Sequence, residues 1–166
     1  SAAALALTQR RAAIQAEAEA AEAEDPISFG ERLRLGLAIL SGQEARLVRR
    51  GFEDGAIGPR AMLALSTAVA RLADGAKAGG RDGYRAAFEA GLRPGRRERL
   101  AFFLHRRLGL DGPLRAQIEL RQTALLETDR VLNELLAFAG SRLPAMIGSD
   151  AAANLAELLA ARRARV

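Results

Sequence analysis

The sequence predicts an all-α fold: a helical bundle of five to seven helices around Leu, Ala and Phe, built on an antiparallel helical hairpin. Three observations carry this. Of 166 residues 37 are Ala and 26 are Leu, while aromatics make up 4%, an alphabet of strong helix formers and poor strand formers. Apolar residues recur at three-to-four spacing over long stretches, the period of a helix with one buried face. Gly and Pro clusters then punctuate the chain at helix-sized intervals. The length allows one core, two at most.

Residues 1–27 read as a helical lead-in or linker. Their QAEAEAAEAE run has high helix propensity but no apolar stripe to bury, and Asp25, Pro26 and Ile27 break it. The start places arginines after the apolar residues, opposite to a signal peptide, and Ser1 reads as the edge of a piece of a longer protein. Residues 28–166 read as a single helical domain, with the hairpin over 28–74, a loop over 75–83 and further helices over 84–166.

Ser28 followed by Glu31 has capping-box spacing. Phe29, Leu33, Leu37, Leu40, Val48 and Phe52 then mark the inner face of a long helix ended by Gly55. After GAIGP, Pro59 suits a first helical position, and Met62, Leu65, Val69 and Leu72 line a second helix that stops at Asp74 and Gly75. Two helices joined by so short a turn are antiparallel neighbours. GAKAGGRDG reads as the loop. A short helix with Tyr84 and Phe88 four apart follows. RRERLAFFLHRRL comes next, with Leu100, Phe103, Leu104 and Leu108 expected inward.

Asp111, Gly112 and Pro113 reset the chain. The helix over 114–139 carries Ile118, Leu125, Leu132 and Leu136 beside Leu120, Val131, Leu135 and Phe138, which is expected to make it central. A final helix through Leu155, Leu158 and Leu159 ends in ARRARV, with arginines suited to its C-terminal dipole.

Composition excludes several chemistries. No Cys and one His remove disulfides, thiolate nucleophiles, zinc clusters and most acid/base triads, so no enzyme activity and no cofactor is expected. Neither GFEDGAIG nor GAKAGGRDG ends in the Gly-Lys-Ser/Thr of a phosphate loop, and no strand precedes them. An EF-hand around Asp54 and Gly55 lacks its ladder of acidic ligands. His105 reads as a surface or interface histidine, and Glu53 and Asp54 as solvated partners for Arg49 or Arg50. The longest uncharged run, Ala61 to Ala70, is half the length of a membrane span.

The net charge of +5 is local. Residues 81–107 hold eight arginines against three acids, which equals the whole excess. Arg93, Arg96, Arg97, Arg99, Arg106 and Arg107 are the candidate contacts for an anionic surface or partner. Arginine pairs with phosphate, so nucleic acid is one reading and an anionic inner leaflet another. Stacking aromatics are expected to be missing from that face, which counts against nucleic acid. Arginines lying along solvated helix surfaces are the plain alternative.

The segment QEARLVRRGFEDGAIGPRAMLALSTAVARLADG resembles a pattern in the cytoplasmic tails of sodium/proton antiporters of the monovalent cation/proton antiporter-1 family. The matching positions are Glu44, Leu47, Arg50, Phe52, Glu53, Asp54, Gly55, Ile57, Ala61, Leu65 and Asp74, within about 35 residues. Read physically, the pattern is a helical hairpin with Gly55, Ile57 and Pro59 forming its turn. The resemblance implies a non-catalytic regulatory or dimerisation domain at the cytoplasmic face of the plasma membrane. Its partners would be the membrane-embedded part of the same transporter, a second copy, or anionic inner-leaflet lipid. The chain departs from longer members in having no β-roll sequence, so no cyclic-nucleotide site is implied. The family's transport carboxylates lie in membrane helices not represented here, so no catalytic or ion-binding residue carries over. The alternative is a helical nucleic-acid-binding or regulatory module using the arginines of 81–107.

Overall fold

A computed structural model describes residues 27–93, 95–109 and 111–166. Six helices follow in order: α1 (Phe29–Glu53), α2 (Pro59–Leu92), α3 (Arg96–Leu108), α4 (Asp111–Ser141), the single turn α5 (Pro144–Ile147) and α6 (Ser149–Arg163). No strand occurs among the described residues. The lead-in over 1–27 lies, up to residue 26, outside them.

The start of α1 is fixed by a reciprocal cap. Glu31 N donates to Ser28 Oγ at 3.3 Å and Ser28 N donates to the Glu31 carboxylate at 2.9 Å, so two otherwise orphaned N–H groups are satisfied. That bond from Ser28 N–H holds the Glu31 carboxyl below its ordinary range. At the other end, Gly55 N donates to Phe52 O and Ala56 N to Gly51 O, the crossed pair of a Schellman turn. The turn requires a left-handed residue, and Gly55 takes φ +74°. Ile57 is buried under it and Pro59 opens α2.

Helices α1 and α2 pack side by side as the most extensive pair in the bundle. Leu37, Leu40, Leu47 and Val48 meet Leu65, Val69 and Leu72, and the far side is closed by Val131, Leu132 and Leu135 of α4 with Leu155, Leu158 and Leu159 of α6. Leu37, Leu132, Leu135, Leu143, Leu155 and Leu159 are fully buried, each contributing about 1.5–3 kcal/mol of burial. Gly36 lets α6 and α5 approach, since a Cβ there would run into Leu155 and Ile147.

Three sequence expectations are corrected. The second helix does not stop at Asp74 and Gly75, and 75–83 is not a loop. Helical backbone continues on both sides of a two-residue break at Gly79 and Gly80 (φ +57°). A Cβ on Gly75 would sit 2.5 Å from Gly83 O and 2.8 Å from Ala87 Cβ, so the chain folds back on itself and its glycines serve close backbone contact. Phe29 and Phe52, expected inside, are exposed: each lies at an end of α1, and the core residues of this helix run only from Leu37 to Val48. Leu100, Phe103 and Leu108 of α3, and Ile118 and Leu125 in the first half of α4, are exposed too. The cause is topological: α3 packs on α4 and makes no comparable contact with the rest among the described residues. The second half of α4 is central, and Leu120 and Ala124 of the first half still pack against the core at its edge. The start of α4 and α3 form a hairpin arm, with α3 resting on α4.

Candidate interaction surface

The arm starts from a helix with one inward edge. Ala101 is buried and Leu104 half-buried, and the remaining apolar residues have nothing to pack on. Phe102 and Phe103 are 57% and 56% exposed. They stand three and four residues from Arg99 and Arg106, positions that neighbour one another on a helix surface. Stacking aromatics are therefore present on this face, contrary to the sequence expectation, because α4 covers too narrow an edge of α3 to take them in.

Of the predicted contacts, Arg96, Arg99, Arg106 and Arg107 are exposed on α3, and none has an ion-pair partner among the described residues. Arg93 is exposed just past α2, in extended backbone outside the arm. Arg97 belongs to α3, but its side chain lies outside the described residues. The arm's own turn is pinned by His105 Nδ1 and Asp111 Oδ1 at 2.7 Å, with Gly109 at φ +65°. His105 is thus a tie between the two helices of the arm.

The bundle's densest polar chemistry lies elsewhere, and the sequence reading missed it as a unit. Arg162 of α6 grips Glu44 of α1 with two bonds, Nη2 to Oε1 at 2.6 Å and Nη1 to Oε2 at 2.9 Å. Its Nη1 also donates to Tyr84 Oη at 2.6 Å. All three residues are buried, and the guanidinium lies 5.8 Å from the Phe88 ring centroid and 5.9 Å from that of Tyr84. Burial pushes the Tyr84 hydroxyl up to about 12. Burial alone opposes the Arg162 charge, yet the Glu44 bonds hold its pKa above the ordinary value. Arg162 Nε has no partner.

A signal for this cluster was present. Glu44 falls on the stripe of Leu37, Leu40, Leu47 and Val48, and Arg162 on that of Leu155, Leu158 and Leu159, so a charge sits where the pattern calls for Leu. The cluster closes the bundle rather than opening it to substrate. A second network ties α4 to α1: Arg130 Nη2 donates to Glu127 at 2.6 Å and to Leu47 O at 3.3 Å. Gly51 leaves room for the Glu127 carboxylate, which a Cβ there would strike.

No group of His or acidic residues among those described is arranged to hold a metal, and no described helix is long and apolar enough to cross a membrane. Compared with family models, curated proteins and solved structures, the chain finds no match.

Proposed function

We propose that this chain is a non-catalytic helical regulatory domain that works at the cytoplasmic face of a membrane, as part of a sodium/proton antiporter, and that α3 is its contact with anionic lipid. The carrying observation is the outward arc of α3, where Arg99 and Arg106 flank exposed Phe102 and Phe103 on a helix that, among the described elements, rests on α4. Arginine suits lipid phosphate, and phenylalanine suits the adjoining acyl boundary. The antiporter setting is supported by the resemblance, whose matching residues span the α1–α2 turn; Gly55 and Ile57 there make the left-handed cap and its apolar plug.

Vesicle sedimentation tests the surface. Binding to phosphatidylserine-containing vesicles, weak on pure phosphatidylcholine and falling with salt, supports the reading. Arg99→Glu with Arg106→Glu is expected to weaken binding by about 30-fold or more, from about 1 kcal/mol per basic residue at such a surface. Equal binding to both vesicles, or indifference to the double variant, overturns it. The transporter setting is tested by the coding sequence ahead of Ser1: a series of membrane-spanning segments supports it and an immediate start codon sinks it.

One observation favours a second reading. The exposed Phe102 and Phe103 beside unpaired arginines also suit single-stranded nucleic acid, where bases stack on aromatic rings. Binding to oligonucleotides that is lost with Phe102→Ala, together with a steep salt slope, selects that reading over lipid.

A further inference from the structure

Between α1 and α2 runs an open groove of about 670 Å³, lined by these two helices and by no residue of α4 or α6. Ala38, Gly42, Ala45 and Arg49 line it from α1, and Ser66, Ala70, Ala73 and Lys77 from α2. Leu35 and Leu63, both exposed, extend each series by one further step. Each helix thus carries a leucine, three small residues and a cation, spaced alternately three and four apart. That spacing along both members of a helix pair is the a and d seam of a coiled coil, which receives a further helix. The turn between Glu53 and Pro59 makes the pair antiparallel, so Leu35 comes level with Lys77 and Leu63 with Arg49.

Two features of the groove are unexplained by the described residues. Ser41 lines it at 7% exposure, and its Oγ has no hydrogen-bond partner, although a buried hydroxyl is ordinarily bonded. Gly42 sits mid-helix with nothing within 4 Å of a Cβ placed on it. Unlike Gly36, Gly51, Gly75 and Gly83, it makes room for no described neighbour, and a mid-helix glycine is unfavourable unless something approaches its backbone closely. The groove is also charged, with one sign only. Arg34 and Lys77 line one end and Arg49 the other, no acid lines it, and none of the three makes an ion pair among the described residues. With cations at both ends, a second copy laid on this face in either direction sets cation against cation.

We propose that this groove docks an amphipathic helix of a separate, acidic protein partner, with Leu or Ile along its seam and Glu or Asp at both ends. Length, volume and charge each point to that occupant. Leu35 to Arg49 spans about 21 Å at 1.5 Å per residue, which sets the docked helix at about four turns. Small residues on the receiving pair leave holes, and large branched knobs opposite small positions are what fill such a seam. Acids at both ends of the incoming helix meet Arg34 and Lys77 at one end and Arg49 at the other, the charge complementarity that fixes a partner and rejects others. Ser41, near the middle of the groove, supplies one polar position for a hydrogen-bonding side chain of the partner, as a single polar residue sets register in helix pairing. This is recognition of a helix by a groove, read through anchors three, four and seven residues apart. The proposal is independent of the lipid reading, since it uses neither α3 nor any membrane.

Fluorescence anisotropy with the full chain tests this, using three labelled synthetic peptides of about 18 residues, enough to span the groove. The first has Leu and Ile at heptad a and d positions, one central Gln among them, and Glu at both ends. The second replaces the terminal Glu by Lys, and the third scrambles the first. The first peptide is expected to bind at least about tenfold tighter than either of the others. Gly42→Leu fills the groove and is expected to abolish that binding, while its urea midpoint holds or rises, since leucine favours a helix over glycine. Arg34→Glu with Lys77→Glu is expected to weaken the first peptide by about tenfold and to shift preference to the Lys-ended one. Equal binding of the scrambled peptide, no binding of the first, or indifference to Gly42→Leu overturns the proposal. So does a dimer in sedimentation equilibrium that Gly42→Leu disperses, which gives the groove to a second copy.

Discussion

Removing either partner of the buried Glu44–Arg162 pair is expected to be the most damaging single polar change in the bundle. Glu44→Gln leaves Arg162 charged and still bonded to Tyr84, but without a counter-ion in a site where both side chains are about 95% buried. Breaking a buried pair in this way costs about 3–5 kcal/mol, a large share of the ~5–15 kcal/mol that holds a domain of this size. Replacing both residues by methionine removes the two desolvated charges together, and such replacements range from neutral to about 1–4 kcal/mol stabilising. Tyr84→Phe leaves both Glu44 bonds in place and removes one bond to a charge, costing about 1.5–3 kcal/mol. The assay is urea unfolding followed by circular dichroism, reading the midpoint at constant slope. Glu44→Gln is compared with Glu44→Met, Arg162→Met and the double Met variant, the last three closing a cycle that shows the non-additivity of a shared site. A loss below about 1 kcal/mol in Glu44→Gln, the range of surface pairs, would refute the claim that the pair is sealed from water.

Tyr84 is the only tyrosine, so alkaline difference absorbance reads it alone. With its pKa raised from 10.0 to about 12 by burial, the stabilisation is fully present below pH 10 and is lost as pH rises from 10 through about 12. The loss amounts to about 2–3 kcal/mol. A native-state titration midpoint near 10 would show the hydroxyl to be wet. Gly75→Ala pushes a methyl onto Gly83 O and Ala87 and is expected to cost about 1–3 kcal/mol, whereas Gly140→Ala, with open space around it, is expected to cost nothing or to stabilise by up to about 1 kcal/mol; equal effects in thermal unfolding would deny the fold-back at Gly79 and Gly80. Phe102→Ser with Phe103→Ser is expected to leave the melting temperature within a few degrees while raising solubility, because neither ring packs in the core; a large drop in melting temperature would place them inside.

Much of the bundle was legible because local chemistry and tertiary packing agree there. Ser28 and Glu31 are the cap they resemble, and the α1–α2 turn has the geometry that Gly55, Ile57 and Pro59 call for. The reading failed where one residue type has two uses. Glycines at 75, 79, 80 and 83 signal a loop by composition, but two of them break the helix and two let its halves touch. Leu100, Phe103 and Leu108 have helical spacing, yet periodicity marks a face without saying whether any element arrives to cover it. The buried cluster was hidden for a related reason. Glu44 and Arg162 lie 118 residues apart, and a charge on an apolar stripe has no visible partner until the fold supplies one. The arginines of α3 stand out in the sequence by charge alone, whereas the exposure of Phe102 and Phe103 beside two of them depends on how little of α3 is covered.

Helix α4 runs unbroken from the tip of the arm into the middle of the bundle. Its 31 residues make a rod about 46 Å long, held against the core from Leu120 through Ala139 and by the Arg130 bond to Leu47 O. Mechanically this is a lever with its fulcrum where the core begins. Whatever takes hold of Phe102 or Arg106 works at the free end, and any tilt it imposes is passed through the packed length of the rod to α1, the helix that carries Glu44.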